Sequence, residues 1–292
     1  MKDRISDQRA KLILFAGVFS CSMSSAFFKY MTAPSSIAAT YRLGWTVLLL
    51  TPMIFFSKER RNELLSLKWK DLAFCASSGV FLALHLYSWF ESLSHTSISS
   101  STVLVNTEVA FAAFGYLLFF GKKISRKEIT AIVVAFSGTV MIAMADNGGG
   151  GGALWGDILA VIAAILSTCY TLIGTRERDH VSTMVYTYVL YWGSLIALVI
   201  IDLATGVELF GYEPINWYMS LCLAIFCTLL GHSVFSWSLK YLTPTYVSTA
   251  KLAAPVFASA SAVILFGEIP GPIQIIGGVI VLSGVYLYAK NA

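Results

Sequence analysis

Residues 111–138 read FAAFGYLLFFGKKISRKEITAIVVAFSG, and residues 257–284 read FASASAVILFGEIPGPIQIIGGVIVLSG. Laid over one another at an offset of 146 positions (257 against 111), they align Phe111-Ala112 with Phe257-Ala258, Phe120-Gly121 with Phe266-Gly267 and Ser137-Gly138 with Ser283-Gly284. Ile129 meets Ile275 and Val133 meets Val279 in the same register. Upstream, Ser92-Leu93 falls on Ser238-Leu239. Apolar helices match one another by chance in scattered registers. One ungapped register over about 45 residues marks a duplicated unit.

The rest of the chain says what the unit is made of. It is 57% hydrophobic and only 12% charged over 292 residues, with a mean hydropathy of +0.74. A soluble domain carries roughly 25% charged residues. Too few charges remain here to solvate a globular surface, which points to lipid as the solvent. Ten apolar runs are long enough to span: 12–31, 35–57, 71–91, 98–120, 127–144, 153–174, 182–203, 216–237, 244–266 and 270–289. The first follows the basic stretch Lys2, Arg4, Arg9 and Lys11, but it is too long for a signal peptide and lacks a small-residue cleavage site. It reads as an uncleaved helix. Trp69, Trp155 and Trp217 fall near span ends, as interfacial anchors do.

Loops rich in Lys and Arg stay on the cytoplasmic side. With the N-terminus inside, all Lys and Arg except Lys29, Arg42 and Lys251 fall at the N-terminus, in the inner loops or at the C-terminus. Those three lie within or at the end of spans. The expectation is an all-α membrane protein of ten transmembrane helices, with both termini cytoplasmic. The run Asn147-Gly148-Gly149-Gly150-Gly151-Gly152 is a flexible connector, dividing the chain into repeats 1–146 and 153–292 around a linker 147–152. Each repeat holds five helices. An odd number forces the second copy to enter the membrane upside down. Lys122, Arg126 and Lys127 accordingly align with Glu268, Pro272 and Ile273, where the basic residues are gone. Inverted repeats are a common build of secondary transporters, with the solute site near the midplane between the halves.

Several function classes are disfavoured. There is no Walker A loop, GxSxG elbow or HExxH motif. Cys21, Cys75, Cys169, Cys222 and Cys227 sit in apolar runs without CxxC pairing, so neither metal site nor disulfide framework is expected. No cofactor and no nucleic-acid partner is expected. An enzyme would need a reactive cluster near an interface, and a channel a filter-like loop or ring of charges. Neither is visible.

Lys29, Pro34 and Arg42 stand at a spacing, in Phe28-Lys29-Tyr30 and Tyr41-Arg42-Leu43, that resembles the first two helices of the EamA-type group of the drug/metabolite transporter superfamily. Trp155-Gly156-Asp157-Ile158-Leu159-Ala160 is similar to the start of that family's second repeat. Ala254-Pro255-Val256-Phe257, with Gly267-Glu268 further on, is similar to its ninth helix and exit loop. The resemblance covers nearly the whole chain through order and spacing. It departs at Ser22-Met23-Ser24-Ser25, Val109 and Lys122. It implies alternating access, places helices 4 and 9 beside a central cavity, and favours export.

A charge near the bilayer centre costs about 2.5–3.5 kcal/mol or more and is a functional candidate by default. Glu108 lies near the middle of helix 4 and Lys251 in helix 9, its symmetry mate. Facing the cavity, Glu108 holds a solute ammonium or a coupling proton, and Lys251 a solute carboxylate. The plainer alternative is a Glu108–Lys251 or Glu108–Arg42 pair that fixes helix packing. Arg42 reads as a structural charge, and Lys29 as a side chain that snorkels outward. His85 and His232 occupy similar places in the two halves and serve either a proton relay or packing. Asn106 flanks Glu108 in a polar stretch of helix 4. Tyr188, Tyr191 and Trp192 share a face of helix 7 and either stack on a solute or pack. Pro255 opens or kinks helix 9 beside the site.

The sequence thus points to a secondary transporter of a small polar or zwitterionic metabolite, an amino acid or relative, in a bacterial inner membrane. Its expected partners are the bilayer, a small-molecule substrate and a proton or counter-substrate, in a monomer or homodimer. The rivals are a carrier of nucleobases, nucleotide-sugars or organic cations, and a lipid flippase or scramblase, in which the charges would face a lateral opening.

Overall fold

The computed structural model describes residues 7–96, 101, 104–121, 123–145, 154–178, 180–257 and 271–291. The glycine-rich linker, Lys122 and the exit loop at Gly267-Glu268 lie outside these residues.

Every regular element among the described residues is helical. In chain order these are α1 (Asp7–Ser22), α2 (Ser24–Lys29), α3 (Ser35–Phe55), α4 (Lys58–Leu65), α5 (Trp69–His95), α6 (Glu108–Phe120), α7 (Arg126–Ala145), α8 (Leu154–Glu177), α9 (Thr183–Thr205) and α10 (Pro214–Cys222). A π-helical segment, Leu223–His232, then leads into α11 (Ser233–Ser238), followed by α12 (Pro244–Lys251) and α13 (Pro272–Asn291). Six continuous stretches are long and apolar enough to cross a membrane: Gln8–Lys29, Ser35–Phe55, Trp69–His95, Leu154–Glu177, Thr183–Thr205 and Pro214–Ser238. Glu108–Phe120 and Ile275–Tyr288 are apolar but shorter.

Local chemistry sets the ends. The side chain of Ser182 accepts from the Val185 N–H to start α9, and Thr243 accepts from Tyr246 N–H to start α12, where Pro244 occupies the first turn. Both follow the rule that a hydroxyl satisfies an orphan amide at a helix start. Gly121 and Gly206, in the left-handed region at φ 64° and 71°, end α6 and α9, a conformation glycine adopts without steric penalty.

Three expected spans differ from uniform helices. The fourth is interrupted at Asn106-Thr107, where Val109 N–H bonds to the Asn106 carbonyl and Ala110 N–H to the Thr107 carbonyl, three residues back. The ninth is interrupted at Leu252-Ala253, with Leu252 N–H bonded to Thr249 O and Ala253 N–H to Ala250 O. The eighth passes through the π-helical segment, which no spacing in the sequence announces. The loop expected at 58–70 contains the short polar helix α4, capped by Ser57.

The closest helix contacts are made through glycine. A Cβ on Gly138 of α7 would lie 2.6 Å from the carbonyl oxygen of Gly277 and 2.7 Å from the amide of Val281 on α13. A Cβ on Gly284 would strike the amide of Ala135. The backbones of α7 and α13 therefore touch directly, as small residues allow between membrane helices. Across another interface, Gly79 of α5 lies against the Leu190 carbonyl and Ser194 amide of α9, and the Ser194 hydroxyl donates to Gly79 O at 2.7 Å. At one end of the bundle, Asn216 of α10 accepts from the amides of Thr32 and Ala33 and donates to Thr32 Oγ1 and Glu213 O, clamping the α2–α3 turn.

Gly138→Val is expected to destabilise the protein by about 1–3 kcal/mol or more, since the added carbons meet backbone that cannot yield. Gly44→Ala, whose Cβ would meet nothing within 4 Å, should change stability by no more than about 0.5 kcal/mol. Melting midpoints of the two variants in detergent check the contact; equal midpoints would refute it.

Candidate functional site

Both helix interruptions meet at one buried carboxylate. Glu108 is the first residue of α6 and is only 5% exposed. Its Oε1 accepts from Lys251 Nζ at 2.8 Å and from Ser248 Oγ at 2.8 Å, both on α12. Its Oε2 accepts from Ser167 Oγ of α8 at 2.7 Å. Every acceptor direction that matters is filled, as a charge buried in a dry interior requires. The helix ends add to this. Glu108 sits at the positive N-terminus of α6, and Lys251 is the last residue of α12, at its negative C-terminus. Each charge is thereby matched to its dipole. The ammonium of Lys251 also lies over two aromatic faces, 5.0 Å from the Phe235 ring centre and 5.6 Å from that of Tyr170, within cation–π range.

A cavity of about 120 Å³ opens beside the pair. A single water needs roughly 10–15 Å³ of such space, so the cavity exceeds that several-fold and is larger than one bound ion requires. Glu108, Lys251, Asn106, His85, His232 and Pro255 all line it. The two histidines approach from opposite halves of the chain, with ring centres 6.2 Å apart. His85 donates from Nδ1 to the Ala163 carbonyl at 2.8 Å. His232 Nδ1 lies 3.2 Å from the Tyr170 hydroxyl. Asn106 Nδ2 is buried and has no hydrogen-bond partner among the described residues. Pro255 has no N–H to offer the Lys251 carbonyl four residues back.

Arg42 is fully buried but does not pair with Glu108. Its Nε donates to Thr228 Oγ1 at 2.6 Å and its Nη1 to Ser24 Oγ at 3.4 Å. Lys29 is exposed at the end of α2, in keeping with a snorkelling side chain. Tyr188, Tyr191 and Trp192 do not line this cavity. Tyr188 is buried in the main apolar cluster with its hydroxyl 3.2 Å from Thr51 Oγ1. Tyr191 meets Ser233 Oγ at 2.8 Å. Trp192 is 41% exposed on the outer surface. The spacing of these three residues sets a shared face of α9, but not the neighbour that face meets. Ser167 and Tyr170 were not singled out from sequence. Lone Ser and Tyr residues in an apolar helix are common, and only the tertiary approach of α8 to α6 and α12 gives them partners.

Apolar helices around a cavity with a buried ion pair at its wall define a polytopic membrane protein with an internal cavity. The family model described as "EamA-like transporter family" matches residues 8–144 and again 154–289. The chain belongs to the EamA-like transporter family, and it is an integral membrane protein of the drug/metabolite transporter type. It is 26% identical to an "Uncharacterized transporter" of Archaeoglobus fulgidus over 75% of this chain and 76% of that protein. It is 25% identical to the "Probable amino-acid metabolite efflux pump" of Salmonella typhimurium over 58% of this chain and 59% of that protein. A 23% identity to the "Pseudopaline exporter CntI" of Pseudomonas aeruginosa covers 70% of each. A crystal structure shares the fold at a TM-score of 0.77, covering 98% of each chain at 17% identity.

Removing one partner of a buried ion pair strands the other charge and costs about 3–5 kcal/mol, whereas replacing both is far milder. Glu108→Gln and Lys251→Met should each lower the unfolding free energy on that scale, and the double variant should lose clearly less than the sum. A double-mutant cycle of thermal or chemical unfolding in detergent reads the coupling; additive losses would mean the pair is not formed.

Proposed function

We propose that the chain is a secondary transporter moving a small zwitterionic metabolite, an amino acid or relative, by alternating access through the cavity at Glu108. One observation carries this: a buried carboxylate at a paired helix interruption, opening on a cavity larger than one bound ion requires. The solute ammonium replaces the Lys251 ammonium on Glu108. Lys251 is thereby freed for the cavity, and the pair re-forms as the solute leaves. Because Glu108 and Lys251 neutralise each other in the empty carrier, neither is left bare while it returns.

The architecture that goes with this reading is ten membrane-spanning helices in two inverted halves, 1–146 and 153–292 about the linker 147–152. Three features support it. One family model matches twice. The interruptions at 106–107 and 252–253 share the offset of 146 seen in the sequence. The contact of Gly138 with Val281 has as its counterpart, at the same offset, that of Gly284 with Ala135. Broken helices at corresponding positions of two inverted halves mark the binding site in transporters of this build. Both termini face the cytoplasm of a bacterial inner membrane, in line with the placement of Lys and Arg. Export is favoured by the efflux and exporter names of the relatives. His85 and His232 lie within reach of a proton moving along the cavity, which makes a proton the favoured coupling ion.

The test is counterflow of radiolabelled amino acids in proteoliposomes holding the full chain. Wild type should accumulate label against a preloaded amino acid, and Glu108→Gln should lose at least about tenfold of that rate, the scale of one charge-assisted bond. Uptake of organic cations alone would move the solute class to cations. No solute uptake, together with lipid scrambling by the same vesicles, would overturn the transporter reading in favour of a flippase.

A further inference from the structure

One buried charge beyond the cavity wall is unmatched. Glu108 answers Lys251, but Arg42 has no carboxylate within ion-pair distance among the described residues. Asp202, a buried acid of the neighbouring α9, instead accepts from Thr40 Oγ1 at 2.6 Å. We propose that Arg42 is an anion-binding subsite just beyond one end of the cavity, reached as the Ser24 contact yields, taking the carboxylate of the transported solute. The proposal rests on the reading of the cavity as the solute site and deepens it by naming the substrate class.

A guanidinium has five N–H donors in a rigid fork. Arg42 directs Nε and Nη1 at two neutral hydroxyls, and its Nη2 has no hydrogen-bond partner. The residue is 0% exposed. Buried charges are ordinarily paired or fully hydrogen-bonded, so this one is held ready for an anion that the described residues do not supply. A carboxylate fits the fork of Arg bidentately. Lys251 is a poorer anchor, because its ammonium is a point charge rather than a planar fork, and in the empty site it is engaged by Glu108 and two aromatic rings.

The position is also right. α1 and the eighth span run antiparallel, with Gly17 against Val234 and Cys21 against Gly231. Ser22 and His232 line the cavity. Arg42 is held by Ser24, two residues beyond Ser22, and by Thr228, four residues before His232. Both steps lead toward the same end, which puts the guanidinium about one helical turn, roughly 5 Å, past the cavity wall. The π-helical segment fixes Thr228 for this role. The Thr228 hydroxyl donates to the Leu223 carbonyl five residues back at 3.3 Å, leaving its oxygen as acceptor for Arg42. Segments of π-helix recur at functional sites. The long bond to Ser24 is the side that yields when a carboxylate enters.

The experiment uses the purified full chain in detergent, melted in rising sodium acetate against sodium chloride at equal ionic strength. Binding to the folded state alone raises the midpoint. Acetate should raise that of wild type over chloride and saturate. Arg42→Gln should abolish the difference, and should melt no lower than wild type without acetate, because it removes an uncompensated buried charge. Arg42→Lys should need at least about tenfold more acetate, the scale of a lost charge-assisted bond. Should Arg42→Gln not fold, the Arg42→Lys titration decides alone: an unchanged acetate dependence overturns the proposal. So does a wild type indifferent to acetate, or an acetate effect that persists in Arg42→Gln, which would be general salt exclusion. An effect lost in Lys251→Met but kept in Arg42→Gln puts the anion on Lys251 instead. Methylammonium chloride in the same assay probes Glu108. If acetate protects and methylammonium does not, the ammonium site fails while Arg42 stands; the reverse sinks the Arg42 subsite alone.

Discussion

A single carboxylate inside an apolar bundle constrains nearly everything around it. Glu108 is stable there only if its oxygens stay occupied, so three donors from two other helices converge on it: Ser167 from α8, and Ser248 and Lys251 from α12. Their convergence fixes how α6, α8 and α12 sit together. It also explains why α6 begins at Glu108 and α12 ends at Lys251, since those two helix ends present the dipole charges that favour an acid and a base respectively.

Interrupting a helix in lipid is costly, because freed N–H and C=O groups have no water to turn to. The interruptions at Asn106-Thr107 and Leu252-Ala253 are tolerated because they abut the cavity, with its Asn106, Glu108 and Lys251 side chains, rather than lipid. Pro255 enforces the second one chemically, by withholding the N–H that the Lys251 carbonyl would have used. Nothing as strict enforces the first. There, the Thr107 hydroxyl donates to the Leu104 carbonyl at 2.6 Å, and the Asn106 side chain faces the cavity. The two halves reach the same backbone shape by different local means, which is why sequence identity at the breaks is low while their register is kept.

Much of the site was legible because charge in an apolar span is rare. Glu108 and Lys251 stood out for that reason alone, and their pairing was among the alternatives read. Pro255 and the two histidines stood out by residue type. For the second, third, sixth and seventh spans, helix bounds followed hydropathy to within a few residues. Less visible were features that depend on which faces meet. The aromatic face of Tyr188, Tyr191 and Trp192 had the right spacing to line a site, yet α9 turns two of them into the apolar cluster and the third to the outer surface. Ser167 and Tyr170 carried no signal because hydroxyls in membrane helices most often bond their own backbone, as those of Thr175 and Thr187 do. The π-helical register leaves no periodic mark, since ten residues are too few to shift the apolar stripe measurably.

Alternating access needs some interfaces to hold while others exchange partners, and the contacts divide along that line. Where Gly138 meets the backbone of Gly277 and Val281, or Gly79 that of Leu190 and Ser194, sliding by even one residue would drive side chains into main chain. Those interfaces move as bodies or not at all. The contacts at Glu108 and at Arg42 are different in kind. They are hydrogen bonds between side chains, and a solute's ammonium or carboxylate can take over from Lys251, Ser248 or Ser24. Motion is therefore cheapest where the solute itself supplies the replacement partner. On the transporter reading, this couples occupancy of the cavity to opening: the polar contacts loosen when something of the right charge is present to substitute for them, and the glycine-lined interfaces set the axes about which the halves turn.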